Sequence, residues 1–111
     1  MRTQIRKKEW SPAREIMPLI LGKELGDDLS EKEISKLELF EAGLKNGIKK
    51  DDTIEAAVTK IVKLALAAEF GPSLVKAQGA AQMVATITRA IMGDAKLRKQ
   101  ALIIIDRLSN E

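Results

Sequence analysis

The stretch from Asp52 to Gly93 constrains the fold most, because it is almost wholly apolar and is interrupted once. It reads as two long helices joined at Phe70-Gly71-Pro72. Gly71 ends the first, and Pro72, whose fixed φ suits a first helical position, starts the second. The first opens under a capping box with Asp52 as cap and Glu55 reaching back. Ile54, Ala57, Val58, Ile61 and Val62 follow at helical spacing. Beyond Lys63, the run Leu64-Ala65-Leu66-Ala67-Ala68 has no polar face, and a helix apolar all round is expected to be buried. The second helix, about 73–92, starts with Ala77, Gly79, Ala80 and Ala81 and gains bulk at Val84, Ile87, Ile91 and Met92. Gly79 in mid-helix costs ~1 kcal/mol relative to Ala. A close crossing of two helix axes would account for it.

Other helices are marked by their caps. Ser11-Pro12 opens one as N-cap and first position. Pro18 then either kinks it or splits it into a turn at 12–16 and a new helix, and Gly26 ends it. Ser30-Glu31-Lys32-Glu33 is a capping box. After it Ile34, Leu37, Phe40/Glu41, Leu44 and Ile48 form an apolar stripe, opposite Lys32, Ser35, Lys36, Glu38 and Lys45. Asn46-Gly47 reads as a left-handed stop. Gly93-Asp94 is a stop followed by a cap for a last helix, about 95–109, whose run Leu102-Ile103-Ile104-Ile105 covers more than one face. The expected fold is all-α: a single compact bundle of four to five helices over residues 11–111, around a hairpin at about 53–92. Residues 1–10 form a basic arm that the sequence leaves extended or disordered.

Composition narrows the chemistry. With 45% hydrophobic but only 3% aromatic residues, the core must be aliphatic. Cys, His and Tyr are all absent, which removes disulfides, thiol catalysis, zinc sites built on nitrogen and sulfur, and imidazole acid–base steps. No catalytic residue, metal ligand or cofactor site is assigned. The acidic pairs Asp27/Asp28 and Asp51/Asp52 precede helices, where carboxylates serve the helix dipole. Phosphate-binding glycine loops are missing. No apolar stretch reaches the ~18 residues of a membrane span, and no signal peptide is visible, so no membrane partner and a cytoplasmic location are expected.

The net charge of +3 is uneven. Residues 1–14 carry five basic side chains against Glu9, and the remainder sums to −1. Arg2, Arg6, Lys7 and Lys8, with Trp10 beside them, can meet phosphates and stack on a base. Arg98 and Lys99 stand near the start of the last helix, where the dipole disfavours cations, and complete a candidate anion or nucleic-acid contact. A helix-turn-helix reading of Leu64–Gly71, with Ser73, Lys76, Gln78 and Gln82 on the second helix, is outweighed by the missing turn and by that helix's length. The aliphatic surplus of the last three helices, Leu102, Ile103 and Ile105 above all, exceeds what a small bundle buries and points to a subunit contact. The function expected is that of a non-enzymatic module acting by association, with a homo-oligomer or protein partner. The alternative is nucleic-acid binding through the basic arm and the C-terminal basic residues.

Overall fold

Residues 11–22, 26 and 28–109, the part that the computed structural model describes, consist of six α-helices and short turns. They are α1 (Pro12–Leu21), α2 (Glu31–Gly47), α3 (Ile54–Phe70), α4 (Pro72–Lys76), α5 (Ala80–Gly93) and α6 (Ala95–Ser109). The expected hairpin is present, and α3 is its organising member, packed against all five other helices. The helix serves two apolar clusters from adjacent stripes. Ala57, Ile61 and Ala65 face Ile16, Met17, Phe40, Leu44 and Ile104. One position along, Val58, Val62 and Leu66 face Val84, Ile91 and Ala101. Each Leu, Ile or Phe so buried contributes roughly 1.5–3 kcal/mol. The radius of gyration, 13.4 Å, is that of a folded chain of this length.

Several local readings hold. Ser11 caps α1 with Pro12 behind it, and Ser30 and Glu33 close both halves of the capping box at 3.1 and 3.0 Å. Asp94 Oδ1 accepts from the Lys96 and Leu97 amides at the start of α6. Others are corrected. α1 runs unbroken through Pro18 and ends at Gly22, not Gly26. Asn46-Gly47 is not left-handed: α2 runs to Gly47, and the chain leaves it extended because Ile48 turns into the core.

The largest correction concerns the helix expected at about 73–92, which is two helices and raises the count to six. Leu74 and Val75 on α4 pack on the same cluster as Val84 and Ile91 on α5. In a straight helix Val75 and Val84 would stand about two and a half turns apart, on opposite faces. The chain therefore breaks between them, with Ala77 extended and Gly79 left-handed at φ 86°. Gly79 is no close crossing, since a Cβ there would meet nothing within 4 Å. At Gly71, φ 96° and ψ 151° lie in a region open essentially to glycine alone, so α3 and α4 can share one residue as stop and start.

Asp52 is not the cap of α3. Thr53 is, accepting from the Ala56 amide at 3.0 Å. Asp52 Oδ2 instead accepts from Lys60 Nζ at 2.8 Å and from the Lys49 amide at 2.9 Å. Lys60 also donates to the Gly47 carbonyl at 2.9 Å, tying the end of α2 to the start of α3. The Lys60 hydrogen bond, and after it the Lys49 amide, hold the Asp52 carboxyl below the ordinary aspartate range. A depressed folded pKa gives stability that is fully present above the unfolded value, about 4, and lost as pH falls through the folded one. Asp52→Asn should therefore lower stability somewhat at neutral pH and flatten the acid limb, so that the variant and wild-type curves converge as pH falls below that point. Denaturant melts across that range read this directly.

A second polar tie lies inside. Glu41, 5% exposed on α2, accepts from the Ser11 hydroxyl at 2.6 Å and the Ala13 amide at 3.0 Å. A carboxylate from one helix thus completes the N-terminus of another. Glu41→Ala leaves buried donors without an acceptor and should cost about 2–3 kcal/mol in urea unfolding. Glu41→Gln, which keeps an oxygen at the same reach, should recover most of that loss.

Candidate functional site

α2 and α3 run antiparallel and touch where Gly43 leaves α2 slim enough to admit Leu64. A Cβ added to Gly43 would stand 2.9 Å from Leu64 Cδ2. Toward the start of α2 and the end of α3 from that contact, a groove of about 510 Å³ lies between them. Lys32, Lys36 and Leu39, at helical spacing, form the α2 lip. Leu64, Ala67 and Ala68 lie along the α3 side, and the turn Phe70-Gly71-Pro72 closes the end. Leu39 is 75% exposed and Phe70 60%, so the two largest apolar groups of the lips stand in water. A smaller recess adjoins the groove, lined by Met17, Leu29 and Leu37, with Glu33, Lys36 and Glu69 also in its wall.

The groove corrects one expectation about α3. Its all-round apolar end is not all-round buried: Ala65 and Leu66 are in the core, while Leu64, Ala67 and Ala68 are half-buried and open onto the groove. Among the described residues no helix covers Ala67 and Ala68 on that side, where the facing edge of α2 carries lysines rather than an apolar stripe.

Sequence reasoning missed Leu39 and Phe70. The signal for Leu39 was available, since it falls outside the stripe of Ile34, Leu37, Phe40 and Leu44 and shares a face with Lys32 and Lys36. A leucine on a charged face is an exposed leucine. Phe70 carries no such signal, because in sequence it is simply the end of an apolar helix.

The residues singled out from the sequence are not brought to this groove. Arg2, Arg6, Lys7, Lys8 and Trp10, and with them the order of the arm, lie outside the described residues. Arg98 and Lys99 are exposed on the first turn of α6. The Leu-Ile-Ile-Ile run divides as its period dictates. Ile104 is core, Leu102 and Ile105 are half-buried, Ile105 packs on both clusters, and Ile103 is 53% exposed. Ser73 and Lys76 sit on the one-turn α4, Gln78 in the break and Gln82 on α5, so no single helix presents them.

Among the described residues no group of three or more acidic side chains is placed to hold a metal, and no helix is long and apolar enough to cross a membrane. Two enclosed side-chain oxygens there have no hydrogen-bond partner, Glu38 Oε2 and Thr88 Oγ1. Thr88 borders an open groove between α3 and α5, lined also by Glu55, Lys63 and Arg89. No family model, curated protein or solved structure matches the chain.

Proposed function

We propose that this chain is a non-enzymatic helical module that works by association, with another copy of itself or with a protein partner, through the groove between α2 and α3. The exposure of Leu39 and Phe70 on opposite lips of one apolar groove carries the reading. Fully burying a leucine and a phenylalanine is worth roughly 1.5–3 kcal/mol each, enough to anchor a contact. The outward face of α6 supports association less well, because Ile103 stands exposed while Leu102 and Ile105 are half-buried. A cysteine-free composition supports the cytoplasmic placement. Sedimentation equilibrium over a wide concentration range tests the self-association half. A mass above 12.2 kDa that Leu39→Ser/Phe70→Ser returns to the monomer, and that Ile103→Ser leaves unchanged, is the expected result. A wild-type monomer throughout rejects this half and leaves a foreign partner.

A second reading, nucleic-acid binding, is favoured by the exposed cations where α5 turns into α6: Arg89, Lys96, Arg98 and Lys99. Removing one cation that neutralises a phosphate should lower the salt dependence of log K by about one. Arg98→Ala/Lys99→Ala should therefore flatten that slope by about two, and deletion of residues 1–9 should flatten it further. The absence of any binding to DNA or RNA at low salt rejects the reading.

A further inference from the structure

Resting on the groove as an association surface, we infer what it accepts: an amphipathic helix of a protein partner, with carboxylates bordering its apolar stripe. Shape comes first. Both walls are helices, whose backbone groups are satisfied within the helix, so no strand can be added to either lip. From Lys32 to Leu39 the α2 lip rises about 10 Å, two turns of helix. A groove of that length between two rods admits a third rod, whose residues at i, i+3 or i+4, and i+7 sit between Leu39 and Phe70.

Charge decides what borders that stripe. Lys32 and Lys36 are both exposed, and among the described residues no hydrogen bond or ion pair engages either. Lys32 is also the second residue of α2, where the positive helix end disfavours a cation. Of the acidic groups nearby, Glu69 alone lines the groove itself. Glu33 accepts from the Ser30 amide, and Glu31 and Glu69 are engaged within the molecule. With Lys32 and Lys36 against Glu69, the groove's own lining is net positive, and a partner that brings carboxylates to the α2 lip meets it. Two apolar lips with a net cationic border specify such a helix over a basic one.

The test uses the full chain and two fluorescent synthetic helices in anisotropy titrations. The helices share one leucine stripe and differ only in flanking glutamates or lysines. The glutamate probe should bind at least about tenfold more tightly than the lysine probe. Lys32→Glu/Lys36→Glu should invert that preference, and Leu39→Ser/Phe70→Ser should weaken both probes by a similar factor or more. All four side chains are exposed, and unchanged thermal melts establish that the variants fold. Equal binding of the two probes overturns the charge inference and leaves the association surface standing. If neither binds and the chain is a dimer that the serine variant dissolves, the occupant is a second copy: the inference fails and the association reading survives. If neither binds up to about 1 mM and the chain is monomeric, both fall.

Discussion

A helix with two apolar stripes must be covered twice, and that requirement on α3 organises everything else. Ala57, Ile61 and Ala65 need one set of neighbours, Val58, Val62 and Leu66 another. A single helix cannot cover both. The chain before α3 meets the first stripe with α1 and α2, and the chain after it meets the second with α4 and α5. α6 then closes the bundle between the two, with Ile104 in one cluster, Ala101 in the other, and Ile105 against both. The order of helices follows from the two stripes, with short turns keeping each pair adjacent.

Where the sequence could be read, local chemistry and long-range packing agreed. Ser30-Glu33 and Asp94 are legible because a cap is a bond between residues two or three apart, and nothing distant overrides it. The break between α4 and α5 was hidden for the opposite reason. Nothing in Ala77-Gln78-Gly79 demands a turn, since alanine favours helix and a lone glycine is tolerated. The break is imposed by α3, which needs Val75 and Val84 on one side. The same logic misassigned Asp52. Thr53 and Asp52 are both good caps, and the bonds from the Lys49 amide and the distant Lys60 engage Asp52 elsewhere while Thr53 serves.

The candidate groove was half legible. Its cationic lip stood in the polar face read from the sequence, and Leu39 was visible as the leucine that did not fit the stripe. Its other lip was not, because the end of α3 looks identical whether a neighbour covers it or not. Coverage depends on where α2 stops being apolar, and that is a fact about two helices. The antiparallel packing of α2 on α3 sets the lysines of one opposite the phenylalanine of the other.

Glu41 gives the amino-terminal residues a fixed point of attachment. Ser11, the residue after the basic arm, is bound to a buried carboxylate on α2, the helix that also carries Lys36 and Leu39. Ten residues of chain reach at most ~35 Å from such a point. A buried hydrogen bond that stabilises a helix end thus also fixes the point at which residues 1–10 join the domain.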